Sequence, residues 1–205
     1  MGQSVANTPR CKHAFLIQRA IVKRIFLTLA LISTGFLIAT IVLGLNVGDA
    51  TVLDAAVQSR VNTHMLVGLG SLTFATLVHA ISLTYFMGTG RWLEETSNAY
   101  NLGESFYDQS QKIKYGTLPG MTACIVLLVV TGGLGAVADP ATPMSLDGTL
   151  GMSGATIHFF VAITTGIINL MTHFAQFVAI SKNSQIVDSV LVEVKRIREE
   201  RGLPV

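Results

Sequence analysis

The chain has 205 residues, half of them hydrophobic and only 13% charged, with a formal net charge of +2. So few charges, with a mean hydropathy of +0.56, exclude an ordinary soluble domain and leave no basic surface for nucleic acid. This is the composition of a polytopic membrane protein. Alternating ten-residue strands are missing, so the expected class is all-α rather than a membrane barrel.

The predicted elements follow in chain order. Residues 1–24 form a polar segment with Arg10, Lys12, Arg19, Lys23 and Arg24. A first apolar run at 25–45 exceeds the core of a secretory signal and has no small-residue cleavage site, so it reads as a retained span. A short loop, 46–61, carries Asp49, Asp54 and Arg60. The second span, 62–88, holds His64 and His79. A longer connection, 89–114, contains Arg91, Trp92, Tyr100 and Tyr107, with the indole expected at headgroup level. The third span, 115–137, contains Cys124, expected to be a small buried apolar group. A Gly- and Pro-containing loop, 138–154, leads to the fourth span, 155–180, with His158 and His173. Residues 182–205 then carry Ile186, Val187, Val190, Leu191, Val194 and Ile197 at helical spacing, with Ser184 as N-cap and Gly202 and Pro204 as the stop. This predicts a separate amphipathic cytoplasmic helix, lying on the membrane, docked on another subunit or folded back on its own connection.

Each span is long enough for a bilayer core of about 30 Å. All but one of the 14 basic residues fall before span one, between spans two and three, or after span four; Arg60 is the exception. Both termini are therefore expected in the cytoplasm, in a bacterial-type or organelle inner membrane. The organisation is a cytoplasmic segment at 1–24, a four-transmembrane-helix bundle at 25–181 and the amphipathic helix at 182–205. Cys11 and Cys124 fall in different compartments and cannot pair, and no C-x-x-C-H offers covalent haem attachment.

Histidine is costly in lipid, and an intramembrane histidine is a functional hypothesis by default. Here there are four, and His64 to His79 and His158 to His173 both span fifteen residues. Fifteen residues leave two side chains about 60° apart around a helix and roughly 22 Å apart along it. Each helix thus places one histidine in each leaflet. Spans two and four run in the same direction, so His64 is level with His158 and His79 with His173. Facing histidines supply both axial ligands of a haem iron, giving an outer haem on His64/His158 and an inner one on His79/His173.

The face between the ligands is small or polar: Gly68, Ser71 and Ala75 on span two, and Ala162, Thr165 and Asn169 on span four. Such residues leave room for a macrocycle, and they also mark ordinary close packing of membrane helices. Arg60, one turn before His64, and Arg91, after span two, stand where propionates would need partners; both also suit simple interface anchors. Zinc is disfavoured because it takes four ligands at one point. The same four histidines also suit interhelical hydrogen bonding, a metal or a proton path. Chlorophyll takes a single histidine per pigment, so facing pairs favour bis-histidine iron.

Two H-x14-H pairs, on the second and fourth of four spans, resemble the haem core of cytochrome b, the membrane subunit of quinol–cytochrome c oxidoreductases. The resemblance covers about 25–181 and rests on span order and histidine pattern. It implies two non-covalent b haems between those spans. The family's spacing is commonly one residue shorter on at least one helix. Its glycines on spans one and three recur at a fixed interval; here Gly35, Gly44 and Gly48, and Gly116, Gly120, Gly132, Gly133 and Gly135, do not clearly keep it. No P-E-W-Y occurs, which weighs against full quinol bifurcation.

The expected function is a di-haem b-type cytochrome carrying electrons across the bilayer. It would be a subunit of a larger respiratory or photosynthetic complex, exchanging electrons with the quinone pool or a protein partner, and in that sense part of a quinone oxidoreductase. The alternative is a cofactor-free structural or assembly subunit.

Overall fold

The computed structural model describes residues 9–204, with side chains from Ile21 to Pro204. Arg10, Cys11, Lys12 and Arg19 lie outside the described side chains. The described chain is helical throughout: α1 (Pro9–Leu45), α2 (Ala55–Tyr100), α3 (Ser105–Ala138) and α4 (Gly154–Glu200), with one 3₁₀ turn at Thr149–Gly151. All four helices are long and apolar enough to cross a membrane. Lipid offers no partner for a backbone N–H or C=O, and a helix satisfies both within itself.

Two expectations change. The connection at 89–114 is almost all helix: α2 continues to Tyr100, α3 begins at Ser105, and only 101–104 turn. Asn101 closes α2 in the left-handed region, at φ 54, and the Leu102 N–H returns to the Ser97 carbonyl at 3.0 Å. Nor does a separate C-terminal helix begin near Ser184. Helix α4 runs unbroken to Glu200, and the Ser184 hydroxyl donates to the Ile180 carbonyl at 2.8 Å, the back-bond of a residue inside a helix.

Contacts divide the chain into two units. One comprises the described part of Met1–Leu27, Ile81–Pro119 and Ala175–Val205. Its core is Leu93, Ile186 and Val190, with Trp92, Leu102, Phe106, Ile113, Val187 and Val194 packed around them. The apolar stripe of the last four turns of α4 is therefore covered by the chain's own α2–α3 turn region. Beside it Asn183, fully buried, accepts from Ser110 Oγ at 2.7 Å and donates to Thr89 Oγ1 at 2.9 Å, tying α2, α3 and α4 together.

The other unit is Thr28–Ala80 with Gly120–Phe174. Its polarity is inverted relative to a soluble domain. Buried positions include Ser33, Ser71, His79, Thr165, Asn169, Thr172 and His173, whereas Leu66, Leu69, Val129, Met171 and Phe174 are exposed. Lipid solvates the outer side chains, so helix association rests on close packing and hydrogen bonds. Accordingly Thr40 Oγ1 and Ser71 Oγ lie 2.7 Å apart between α1 and α2, and Thr131 Oγ1 and Thr165 Oγ1 lie 2.7 Å apart between α3 and α4. Cys124 donates its S–H to Thr172 Oγ1 at 3.2 Å. Leu37, Ala75 and Leu128 form the apolar centre, with Leu72 beside them.

The loops of this unit are built on caps. Asp54 Oδ1 accepts the Ala56 N–H at 3.2 Å and starts α2; Ser153 Oγ accepts the Thr156 N–H at 3.2 Å and starts α4. Asp147 Oδ1 accepts the Gly154 N–H at 2.7 Å; this bond, with Ser145, holds its carboxyl below the usual carboxylate range. Leu150, 84% exposed, sits in the left-handed region at φ 55, ψ 23. That conformation costs a non-glycine residue about 1–2 kcal/mol, of which the greater flexibility of an unfolded glycine returns about 0.5–1 kcal/mol. Leu150→Gly is therefore expected to raise the unfolding midpoint in detergent slightly, by the equivalent of about 0.5–1 kcal/mol. A lowered midpoint contradicts the strain.

Candidate functional site

The four histidines all lie in the unit built from Thr28–Ala80 and Gly120–Phe174. The structure brings them together in two pairs across α2 and α4. The rings of His64 and His158 are 6.2 Å apart between centroids at an interplanar angle of 74°. Those of His79 and His173 are 5.1 Å apart at 30°. An imidazole nitrogen stands about 2 Å from a bound first-row metal, which puts the ring centres of two opposed ligands roughly 6 Å apart. The His64/His158 pair already has this spacing; the His79/His173 pair is roughly 1 Å too close.

Helices α1 and α3 flank the first pair in the same way. A Cβ on Gly44 of α1 would lie 2.9 Å from His64 Cε1, and one on Gly135 of α3 would lie 3.1 Å from His158 Cε1. Real Cβ atoms essentially never come as close as the first and seldom as close as the second, so each ring rests on a glycine backbone. One turn before each glycine is a threonine, Thr40 or Thr131, whose hydroxyl meets the hydroxyl seven residues beyond the facing histidine, Ser71 or Thr165. Thr-x3-Gly on the spans without histidine is the sequence signal for these supports.

Hydrogen bonds fix the tautomers. His64 Nδ1 lies 3.1 Å from the Thr40 carbonyl, which can only accept, so Nδ1 carries the proton and Nε2 keeps its lone pair. Thr34 commits its one proton to the Ala30 carbonyl at 2.8 Å, so its 3.3 Å contact with His173 is donated by His173 Nδ1–H. His173 Nε2 is then a bare lone pair, buried without a partner. Leaving such an atom unpaired costs about 1–3 kcal/mol; a metal ion satisfies it. His79 differs. Asn169 donates Nδ2–H to the Thr165 carbonyl at 2.8 Å, which turns its Oδ1 to His79 Nε2 at 2.9 Å, so His79 Nε2 carries a proton.

The remaining sequence-selected residues are placed as follows. Gly68 faces α1, where an added Cβ would lie 3.4 Å from Thr40 Cγ2. Ala75 is fully buried against Leu37 and Leu128, and Ala162 is half-buried. Asn169 is a hydrogen-bond partner of a histidine rather than a spacer. Arg60 is exposed and donates Nε–H to the Val47 carbonyl at 3.3 Å. Arg91 belongs to the other unit, exposed and paired with Glu95 at 2.8 Å.

Among the described residues no three His, Cys, Asp or Glu side chains converge on one point. Each pair offers two nitrogens, so a metal held there takes its other donors from outside these side chains, as a macrocycle would supply them. The residues fit bis-histidine haem directly at His64/His158. At His79/His173 the fit requires both that His79 Nε2 leave Asn169 and that the rings separate by roughly 1 Å. No family model, curated protein or solved structure matches the chain.

Proposed function

We propose that the protein is a membrane-embedded di-haem b-type cytochrome that carries electrons across the bilayer. The observation that carries this reading is the His64/His158 pair, set at metal spacing on α2 and α4, with a second pair fifteen residues further along the same helices. Bound at these pairs, haem supplies one-electron exchange at its iron. The chain supplies two imidazoles at each level. Carbonyl and hydroxyl acceptors on α1 orient His64 and His173 through Nδ1; such second contacts set ligand tautomer and basicity. Apolar outer faces keep water from both levels. Arg60, exposed and one turn before His64, is suited to a propionate.

In this reading the loops at 46–54 and 139–153 are extracytoplasmic and both termini cytoplasmic. With loops this short, one redox partner is another polypeptide, and quinone is the membrane-soluble partner. The protein acts as one subunit of a respiratory or photosynthetic complex.

The test is stoichiometry. Pyridine haemochrome against protein concentration is expected to give two b haems per chain, with sharp alpha and Soret bands on reduction. One haem or none in a fully loaded preparation overturns the two-site reading. The rival, a cofactor-free structural subunit, draws on the His79–Asn169 and His64–Thr40 contacts, which tie helices without any cofactor. It predicts a well-folded, haem-supplied protein with no visible spectrum.

A further inference from the structure

The two hairpins α1–α2 and α3–α4 place their histidines and Thr-x3-Gly supports at equivalent positions, but they differ beside the second histidine. Four residues before the second histidine, α2 has Ala75 and α4 has Asn169. Both are fully buried. Alanine offers no hydrogen bond there. Asn169 is locked by its own helix, through Nδ2 to the Thr165 carbonyl, and so presents its carbonyl oxygen to His79 Nε2. The two histidines of this pair therefore stand in opposite tautomers: His173 with Nε2 bare, His79 with Nε2 protonated and engaged. At the other pair the Thr40 carbonyl takes His64 Nδ1–H and leaves Nε2 for a metal.

We propose that Asn169 is a positioning residue that makes the two haem sites unequal. Its Oδ1 competes with iron for His79 Nε2, so the His79/His173 site binds haem more weakly and fills after the His64/His158 site. This inference rests on the di-haem reading. To hold a haem iron through Nε2, His79 would give up its Nε2–H···Oδ1 bond and carry that proton on Nδ1 instead, with no change in oxidation state. The rings must also separate by roughly 1 Å to reach metal spacing. The outer pair needs no separation.

The experiment is haemin titration of the full-length protein, produced haem-depleted in detergent and followed by the Soret band. His79→Leu isolates the outer site, and His64→Leu isolates the inner one. The outer site is expected to bind more tightly. In the His64→Leu background, Asn169→Leu keeps the volume and removes the competing oxygen; inner-site affinity is expected to rise roughly 2- to 10-fold, the worth of one buried hydrogen bond. Asn169→Asp keeps the shape and strengthens the acceptor, and is expected to lower it. A residue that only supports packing gives the reverse for leucine: affinity falls, or nothing changes. Either result, or equal affinities at the two sites, overturns the role of Asn169 while leaving two haems in place. If the wild-type chain takes up no haem at either site, the di-haem reading itself falls, and this inference with it.

Discussion

Replacing His64 or His158 by leucine is expected to abolish one and the same haem, and replacing His79 or His173 the other. The pairing follows from contacts across α2 and α4, where each ring has one partner ring from the opposite helix, 6.2 Å away at one level and 5.1 Å at the other. If each pair holds a haem, removing one of its two imidazoles would remove the bis-histidine centre, so loss of a spectral component rather than a shift is expected. Leucine fills the space of an imidazole without a donor atom, which limits damage to packing. Low-temperature difference spectra and redox titration of the four variants resolve the components. If His64→Leu and His79→Leu remove the same component, each haem is held within one helix's surroundings, and the transverse pairing is wrong.

A second large effect is expected from the smallest possible change on the helices without histidine. Gly44→Ala adds one methyl 2.9 Å from His64 Cε1, and Gly135→Ala adds one 3.1 Å from His158 Cε1. The hydroxyl contacts Thr40–Ser71 and Thr131–Thr165, one turn away on the same helices, hold the backbones in place. The ring must therefore yield. Overfilling a packed interior costs about 1–3 kcal/mol, which corresponds to roughly 5- to 150-fold weaker binding at the outer site if the whole cost falls on the ligand. Alanine for glycine inside a helix otherwise stabilises by about 0.5–1 kcal/mol. Weaker outer haem in a chain whose unfolding midpoint is held or raised would therefore separate ring displacement from general damage. Gly35→Ala, with nothing within 4 Å, is the matched control. Gly68→Leu acts through Thr40 of α1 and is expected to perturb the outer haem less directly. Haem affinity and midpoint potential are the readouts. Unaltered values in both Gly44→Ala and Gly135→Ala would show that the rings have room to spare.

Much of this geometry was legible in the sequence because lipid leaves few solutions. Four apolar runs of sufficient length mean four helices, and equal fifteen-residue intervals on two parallel spans put His64 beside His158 and His79 beside His173. Where helices continue outside the apolar runs was not legible. Residues 89–100 and 182–200 are polar enough to end a span, yet nothing in them ends a helix; α2 stops at Asn101 with φ 54, a weaker signal than glycine or proline, while α4 stops just before Gly202, the expected glycine, at φ 67. Asn169 misled for a different reason. On a helical wheel it falls among small residues, and only its bond to the Thr165 carbonyl reveals which way its amide points. The supports under the rings needed the neighbouring helix. Gly44 and Gly135 acquire meaning only when a histidine from another segment approaches within van der Waals distance.

The correspondence between the two helical hairpins, Thr40–Gly44 with Thr131–Gly135 and His64–His79 with His158–His173, bears on symmetry. Two separate copies of one hairpin, related by a twofold axis, could assemble the same paired imidazoles, but every substitution would then appear on both sides or on neither. Asn169 occupies the position equivalent to Ala75, an arrangement closed to such a homodimer. Joining the two hairpins in one polypeptide makes one-sided changes accessible to selection. The two histidines of one level can thus be made unequal by a single codon, without altering the ligands.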